Sequence, residues 1–157
     1  MASRDIIKAK IREYLNEQVK QYPQIPNILY HGQPPKYIDG KHIEPIKFDK
    51  FDQKQKRFLS DENIGFYFTP SKREAQEYAE GGNVYVCKVN IKNPYYYEND
   101  FAYNNNGLIK IATFITNEEK SILEENGYDG VVLLTFMDKI GEVIALYTNQ
   151  IQILEII

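Results

Sequence analysis

The sequence predicts an α+β fold, with about seven short strands and two or three helices in one domain of 157 residues. Three observations lead to this class. Short segments alternate apolar and polar residues, as strands do, and other segments repeat apolar residues at helical spacing. The order of these segments fits neither a regular βαβ alternation nor a simple sandwich. The chain has no internal repeat, and it is long enough to bury a sizeable core in a single domain, residues 1–157.

An amphipathic helix is expected near the N-terminus, within residues 1–24. Ile7, Ile11 and Leu15 recur near helical spacing between charged residues, and Pro23 ends the pattern. This helix is expected to pack on the outside of the domain, and docking of a partner is the alternative.

Local signals divide the remaining residues, 28–157, into the elements of the core. The predicted strands and short elements are Ile28–Gly32, Ile64–Thr69, Asn83–Ile91, Leu108–Phe114, Val131–Thr135, Glu142–Tyr147 and Ile151–Ile156. The predicted helices are Lys72–Glu80 and Asn117–Glu125. The segments expected to form loops are Lys36–Asn63, Tyr95–Asn106 and Phe136–Gly141. The first loop is long for a compact domain, which favours a loop that lies over a ligand.

Capping residues set the ends of the predicted helices. Ser71 is the expected N-cap of the first core helix, with Glu74 in the capping-box position, and Gly81 follows the end of that helix. Asn117 is the expected cap of the second helix, which ends at Gly127.

Composition and charge exclude several classes of function. The formal net charge is −3, from 19 basic and 22 acidic residues, so no strong field attracts nucleic acid or an anionic membrane. No apolar run reaches the roughly 20 residues that cross a membrane, and no signal peptide is visible. A cytoplasmic monomer as synthesised is therefore expected, with delivery into another cell or a host left open. The single cysteine, Cys87, excludes an intrachain disulfide, and its strand pattern predicts a buried thiol.

Two tyrosines are the most informative feature of the chain. Tyr67 lies in a predicted strand, and Tyr78 lies eleven positions later on the predicted helix that follows. Two rings on adjacent elements are placed to close on a flat, electron-poor ring, and the positive nicotinamide ring of NAD suits such a clamp. Upstream, His31 and Gly32 offer an imidazole and an open backbone, and downstream Glu142 offers a carboxylate.

These residue types have a common use if the ligand is NAD. Breaking the bond between nicotinamide and ribose builds positive charge on the ribose, which the Glu142 carboxylate would stabilise. His31 would bond a ribose hydroxyl, and the Gly32 backbone would pair with the nicotinamide amide. No metal is needed, and no cluster of cysteine and histidine suggests one. Each signal also has an ordinary interpretation, because the chain has 13 tyrosines and a lone histidine or glutamate on a strand is commonly structural.

Together, the motifs resemble those of the ADP-ribosyltransferases of the His-Tyr-Glu group, to which diphtheria toxin and the poly(ADP-ribose) polymerases belong. The segments that carry the resemblance are Tyr30-His31-Gly32, Gly65-Phe66-Tyr67-Phe68-Thr69 with Ala75 and Tyr78, Gly127-Tyr128-Asp129-Gly130-Val131, and Glu142 followed by apolar residues and Gln150. The resemblance covers roughly residues 28–154 and is closest to small bacterial or phage-borne members.

The resemblance implies a split, two-sheet NAD-binding core with the cleft between its sheets, to which this chain adds the N-terminal helix. It assigns Glu142 to catalysis. It assigns five residues to NAD binding, namely His31 (ribose), Gly32 (nicotinamide amide), Tyr67 and Tyr78 (ring clamp) and Thr69 (pocket, with Phe68). The loop Lys36–Asn63 would lie over NAD, and the loop Phe136–Gly141 would meet the acceptor.

Two positions depart from patterns in the family. Ala75 stands where the polymerases usually carry a serine that bonds the nicotinamide amide, so that bond is expected to be absent. Ile140 stands two positions before Glu142, where relatives that modify arginine carry a second glutamate, so neither arginine nor asparagine specificity is supported. The chain has no room for the regulatory helical domain of the polymerases, which favours mono- over poly-transfer.

The leading hypothesis is a mono-ADP-ribosyltransferase that moves ADP-ribose from NAD to a macromolecule and releases nicotinamide. Protein is the expected acceptor, and a nucleic-acid acceptor stays open. A toxin, an effector, a phage-borne modifier of host proteins or a toxin–antitoxin component would suit such a domain. The alternatives are an NAD glycohydrolase and a non-catalytic module that binds NAD or ADP-ribose. An RNA 2′-phosphotransferase is disfavoured, because the corresponding positions are aromatic and acidic rather than basic.

Overall fold

The computed structural model describes residues 4–8, 10, 22–35, 37–38, 41–42, 50–51, 65–98, 115–135 and 137–157. The strands in these ranges are β1 (Ile28–Gln33), β2 (Tyr37–Ile38), β3 (Lys41–His42), β4 (Phe66–Phe68), β5 (Asn83–Val89), β6 (Pro94–Glu98), β7 (Gly130–Leu134), β8 (Ile140–Ala145) and β9 (Ile151–Ile156). The helices are α1 (Lys72–Ala79) and α2 (Asn117–Glu125), and a 3₁₀ turn occupies Thr148–Gln150.

Two sheets form the body of the described structure. One has the strand order β1-β5-β9, and the other has the order β4-β8-β7-β6; β2 and β3 pair as a separate ribbon. Tyr30 on β1 and Thr69 after β4 join the two sheets, since each backbone N–H donates to the other residue's carbonyl oxygen at 2.8 Å. Two sheets with few helices agree with the predicted α+β class.

The main core lies between the two sheets. Its buried apolar residues come from both sheets, with Phe51 added from outside the strands, and they are Leu29, Phe51, Phe66, Phe68, Tyr85, Cys87, Val89, Val132, Leu134, Val143 and Ala145. In β5, Tyr85 and Cys87 are fully buried, which confirms the predicted buried thiol. Burial of the thiol raises the pKa of Cys87 to about 12, so the sulfur is protonated at neutral pH.

Helices cover the outer faces of the two sheets. α2 covers the four-stranded sheet, where Ile115, Leu123, Val131, Ile144, Leu146 and Tyr97 form a second buried cluster. α1 lies on the three-stranded sheet, and its Ala75 and Ala79 are buried against Val84 and Tyr30. Ser71 caps α1 as predicted, because its side chain accepts a hydrogen bond from the Glu74 N–H at 3.2 Å. Among the described residues, no helix is long and apolar enough to span a membrane.

The prediction of a loop over Tyr95–Asn106 is wrong at its start. Pro94–Glu98 is a strand that pairs in parallel with β7, and Pro94 lies opposite Gly130. β6 is the last strand in the order of its sheet, so a proline at its first position costs no ladder bond within that order. The three tyrosines that follow favour an extended, half-buried backbone.

A network around Asp129 holds β6 beside β7. The Asp129 carboxylate accepts hydrogen bonds from the backbone N–H groups of Lys92 (2.9 Å) and Asn93 (2.8 Å). The carbonyl of Asp129 accepts a bond from the Gln150 side chain at 2.8 Å. Parallel pairing of these distant segments therefore depends on polar contacts just before the strands begin.

The predicted N-cap of α2 is also wrong, by one residue. The cap is Thr116, whose hydroxyl accepts from the Glu119 N–H at 3.2 Å, while Oε1 of Glu119 accepts from the Thr116 N–H at 3.3 Å. A capping box requires a glutamate three residues after the cap. Thr116 meets this requirement, whereas Asn117 precedes Lys120 by three positions.

Other predictions agree with the structure only in part. β8 begins at Ile140, inside the predicted loop Phe136–Gly141. β2 and β3 form an antiparallel pair inside the predicted loop Lys36–Asn63, most of which lies outside the described residues. Residues 4–8 and 10 are helical, while residues 11–21 of the predicted N-terminal helix and the predicted element Leu108–Phe114 lie outside the described ranges.

Candidate active site

His31 lies on β1, next to the bridge between Tyr30 and Thr69 that joins the two sheets. Its Nδ1 is 2.7 Å from the carbonyl oxygen of Tyr67, and its Nε2 is 3.0 Å from Oε1 of Gln33. A carbonyl oxygen can only accept a hydrogen bond, so Nδ1 carries a proton and donates it to β4. The imidazole packs edge-on against Phe51, with ring centroids 5.0 Å apart. His31 therefore connects β1 to β4 on the side of the core between the sheets.

Tyr67 and Glu142 share the opposite face of the four-stranded sheet. Tyr67 lies across from Ile144 in the β4–β8 register, and Glu142 precedes Ile144 by two residues on β8. Residues two apart on a strand point to the same face, and diagonal cross-strand neighbours lie about 7–8 Å apart. Tyr67 and Ile144 both pack in the cluster beneath α2, which identifies that face. The Tyr67 ring and the Glu142 carboxylate are therefore neighbours.

The phenol of Tyr67 lies in a buried, acidic environment. Burial raises its pKa, and the carboxylates of Glu142 and Glu119 raise it further, while a hydrogen bond with the Ile115 backbone acts in the opposite direction. Oε1 of Glu119 is bonded by Thr116, and Oε2 is buried without a hydrogen-bond partner in the described part of the chain. Tyr67 consequently stays protonated and offers a neutral aromatic face.

Glu142 lies on β8, and its side chain is exposed to solvent. Desolvation by neighbouring protein atoms nevertheless raises the pKa of Glu142, and the nearby carboxylate of Glu74 raises it further. Glu74 is fixed in place, because its Oε2 accepts a hydrogen bond from the Thr69 hydroxyl at 3.0 Å. The hydroxyl of Thr69 in turn accepts from the Ser71 N–H at 3.1 Å.

One face of α1 is directed toward this acidic site. Glu74 and Tyr78 are four residues apart and so lie on the same face of the helix. Ala75 and Ala79 are buried against the three-stranded sheet, whereas Tyr78 is 56 % exposed. The Tyr78 hydroxyl lies close enough to Tyr67 to contribute to the raised pKa of that phenol. Tyr78 therefore offers an aromatic surface to solvent beside Tyr67.

Gly32 has both a packing role and an open backbone. A Cβ at this position would collide with the Ala75 carbonyl and would lie 3.0 Å from the Ala79 nitrogen, so α1 packs directly on the β1 backbone. Val84, opposite Gly32, bonds both its N–H and its C=O to Ile157 on the other side of β5. The Gly32–Val84 pair is therefore a non-hydrogen-bonded one, and Gly32 directs its N–H and C=O away from β5. Tyr30 uses the same edge to bond Thr69.

The structure brings together most of the residues that the sequence analysis selected. Tyr67, Glu142 and Tyr78 lie around one site, and Thr69 contacts that site through Glu74. Gly32 lies beneath α1, at the edge of β1 that faces β4. His31 and Phe68 point into the core between the sheets, and His31 reaches Tyr67 through the backbone of β4.

Three residues of this region were not selected from the sequence, namely Gln33, Glu74 and Glu119. Glu74 and Glu119 both occupy the capping-box position of a helix, which explains them locally and conceals their nearness to Glu142 and Tyr67. Gln33 follows His31 by two residues, so strand alternation alone places both side chains on one face. That alternation was the available signal. In the part of the chain that the structure describes, no group of three or more histidine, cysteine or acidic side chains is arranged to hold a metal ion.

Comparison with known protein families identifies the family of the chain. The family model described as ADP-ribosyltransferase in polyvalent proteins matches residues 25–154. The chain belongs to this family. The match begins before β1 and ends within β9, so it includes both sheets and both core helices. No curated protein matched the chain.

Membership confirms the predicted resemblance to ADP-ribosyltransferases and supports ADP-ribosyl transfer, for which this family uses NAD as its substrate. The two-sheet architecture is compatible with the fold of this family. The His-Tyr-Glu subgroup and the individual site residues remain predictions.

Proposed function

We propose that the chain is an NAD-dependent mono-ADP-ribosyltransferase that transfers ADP-ribose to a macromolecular acceptor and releases nicotinamide. One observation carries this proposal. Tyr67 and Glu142 lie as neighbours on one face of the four-stranded sheet, and the exposed ring of Tyr78 lies beside Tyr67. An aromatic surface next to a carboxylate is the combination that cleavage of a nicotinamide–ribose bond requires.

The aromatic and backbone groups would hold NAD at this site. Tyr67 and Tyr78 would contact the two faces of the nicotinamide ring, which is attracted to neutral aromatic faces because it is positively charged. The raised pKa of Tyr67 keeps that ring neutral at physiological pH. The N–H and C=O of Gly32, directed toward the edge of β1, would pair with the amide of the nicotinamide. Ala75 supplies no hydroxyl, so the backbone would carry this recognition.

Glu142 would act as the catalytic carboxylate. NAD supplies an activated C1′–N bond, which breaks with both electrons leaving on the nicotinamide nitrogen. The ionised Glu142 would stabilise the positive charge that develops on the ribose. An acceptor nucleophile then forms the new bond to C1′, and its proton passes to Glu142 or to water. The raised pKa of Glu142 suits a group that takes up this proton.

A protein acceptor fits the charge of the site best. Glu74, Glu119 and Glu142 place three carboxylates near the aromatic pair, and the chain as a whole carries a net charge of −3. Such a site repels a phosphate backbone. We propose that a single ADP-ribose is transferred to this acceptor.

Release of nicotinamide from NAD tests this function directly. The purified protein is incubated with NAD labelled on its adenylate side, alone and with a cell lysate, and both nicotinamide and labelled macromolecules are measured. In Glu142→Gln, we expect kcat to fall by about 100-fold or more, while the Kd for NAD changes only a few-fold, since the charge acts mainly in the transition state. Glu155→Gln is the matched control, because Glu155 is an exposed glutamate on β9.

Each outcome has a definite meaning. Label on one protein band that disappears in Glu142→Gln would support the proposal and identify the acceptor. Nicotinamide release without any labelled macromolecule would favour the glycohydrolase. Label on RNA or DNA would overturn the protein acceptor, and activity of Glu142→Gln near that of the wild type would overturn the role of Glu142.

A further inference from the structure

We propose that Glu74 is a specificity-determining residue, which together with Glu142 selects a cationic nitrogen group, a guanidinium or an ammonium, as the acceptor of ADP-ribose. This inference rests on the proposed function, because it names the class of acceptor for the same site. The sequence motifs give Glu74 a capping position and no role toward a ligand. Since the binding of a cation can be measured without NAD, the two proposals can fail separately.

The strand register places Glu74 close to Glu142. In the β4–β8 ladder, Phe68 lies opposite Val143. Continued by one residue, this register brings Thr69 opposite Glu142, and residues in such a pair share a face with Cβ atoms about 4.5–5.5 Å apart. Oε2 of Glu74 accepts the hydrogen bond of the Thr69 hydroxyl at 3.0 Å. Both carboxylates therefore lie next to the Thr69 side chain, and the effect of Glu74 on the pKa of Glu142 agrees with this placement.

In the described part of the chain, no cationic side chain pairs with either carboxylate. Arg73, adjacent to Glu74 in sequence, pairs with Glu77 at 3.3 Å instead. Glu74 has the neutral hydroxyl of Thr69 as its partner, and the Glu142 side chain has no ion-pair or hydrogen-bond partner among the described residues. Both side chains are exposed. Two neighbouring carboxylates without a counter-ion repel each other, and a cation bound beside both removes this repulsion.

The acceptor is the group that best fits these carboxylates. The proposed function places the nicotinamide ring of NAD between Tyr67 and Tyr78, and the pyrophosphate of NAD is anionic, so carboxylates repel it. The acceptor nucleophile, in contrast, has to approach C1′ of the ribose beside Glu142. A cationic nitrogen is attracted there by both carboxylates, whereas an uncharged hydroxyl gains only a hydrogen bond. The planar fork of a guanidinium can bond two carboxylates at once.

The transfer step is balanced for such an acceptor. The acceptor nitrogen forms its bond to C1′, and the bond from C1′ to nicotinamide breaks with both electrons leaving on the nicotinamide nitrogen. The acceptor nitrogen loses one proton, which passes to Glu142 or to water, and the product keeps its positive charge. Glu74 makes no covalent bond in this step. It holds the cation beside C1′ and thereby favours it over water and over uncharged groups.

Three small molecules of similar shape test this selection. Butylguanidine and butylamine are cations at neutral pH, and butylurea is the uncharged analogue of the guanidine. Binding to the NAD-free protein is followed by ¹⁵N–¹H NMR of the backbone amides, at low salt because exposed charges are screened. We expect at least one of the two cations to shift the signals of Thr69, Glu74 and Glu142, and butylurea to leave them in place. The two Kd values show which cation the site prefers.

Variants of α1 separate the charge of Glu74 from its shape. In Glu74→Gln, the Kd for the preferred cation should rise about tenfold. Glu77→Gln makes the same change of charge on the same helix and should bind the cation as the wild type does. Glu74→Asp keeps the charge and should bind the cation more tightly than Glu74→Gln, and equal weakening in both would overturn the role of the charge. Binding of butylurea as tight as that of the cations, no binding of either cation, or an unchanged Kd in Glu74→Gln would also overturn the proposal.

The second measurement is transfer itself, followed by mass spectrometry of the products formed from NAD and each small molecule. We expect an ADP-ribosylated cation and no adduct of butylurea, with a KM for the cation about tenfold higher in Glu74→Gln and unchanged in Glu77→Gln. In a cell lysate, the modified side chain should be arginine or lysine. Modification of serine, of an acidic side chain or of nucleic acid would overturn the cationic acceptor and leave ADP-ribosyl transfer standing. If the protein binds the cation as expected but releases no nicotinamide from NAD with any acceptor, the proposed function fails while the selection of a cation by Glu74 stands.

Discussion

Gly32→Ala would test the close packing of α1 on β1, on which the position of Tyr78 depends. The backbone of Gly32 is outside the left-handed region, which among the described glycines is occupied by Gly81 and Gly127. Conformation alone would therefore make alanine stabilising at Gly32, by about 0.4–1 kcal/mol, through a lower entropy of the unfolded chain. The contacts predict the opposite sign. The new Cβ would overlap the Ala75 carbonyl, which is a backbone atom of a helix and cannot rotate away.

The steric cost decides the expected result. Overpacking costs about 1–3 kcal/mol, and the upper end applies where backbone must move, so after the entropy gain the net loss is about 2 kcal/mol. In a domain of this length, that corresponds to a fall in Tm of about 4–8 °C. Thermal unfolding followed by circular dichroism measures the shift. In active protein, the displaced helix should also raise the Kd for NAD, because it carries Tyr78.

Gly81→Ala is the matched control for this prediction. Gly81 has a φ of 86°, and no atom lies within 4 Å of the point where an alanine methyl would stand, so alanine there meets conformational strain without steric overlap. Its expected cost is about 1–2 kcal/mol, with no change in the Kd for NAD. A Tm of Gly32→Ala equal to or above that of the wild type would refute the close packing of α1 on β1.

Two further predictions concern the other residues of α1. Glu74→Gln removes a charge that raises the pKa of Glu142, so the acid limb of the pH–rate profile should move to lower pH if ionised Glu142 is the active form. Glu77→Gln is the control, because it changes a carboxylate paired with Arg73 and should leave the acid limb in place. Equal profiles for the wild type and Glu74→Gln would count against the coupling between Glu74 and Glu142. Tyr78→Ala removes a half-exposed ring and should change stability by less than about 0.5 kcal/mol while weakening NAD binding about tenfold, which calorimetry would show. Tyr78→Phe keeps the ring and should bind NAD nearly as well as the wild type, and equal affinity of Tyr78→Ala would remove this residue from the clamp.

The pKa of Glu142 also links function to stability. A carboxyl whose folded-state pKa is raised holds its proton more tightly in the folded protein than in the unfolded chain. Stability is therefore lost as the pH rises from the ordinary pKa of glutamate through the raised one, and the loss persists at neutral pH. Because the Glu142 side chain is exposed, solvent screening keeps this loss of stability small.

Local patterns in the sequence were sufficient for the elements that carry the aromatic pair. Ser71 and the apolar run before it located β4 and α1, and alternation located β5, because those signals depend on residues close in sequence. β6 was missed because its partner β7 lies 36 positions away and pairs in parallel, so no turn connects the two strands. The proline at its start also argued for a turn, although an edge strand tolerates proline at its first residue.

The site illustrates the same difference between local and distant information. The sequence motifs named Tyr67, Tyr78 and Glu142, whereas Glu74 was interpreted only as a capping-box residue and Glu119 was not singled out. Only the strand register and the packing of α1 and α2 bring their carboxylates toward Glu142 and Tyr67. Glu119, whose side chain completes the capping box of α2, therefore also raises the pKa of Tyr67, whereas the Glu74 side chain bonds Thr69 and raises the pKa of Glu142.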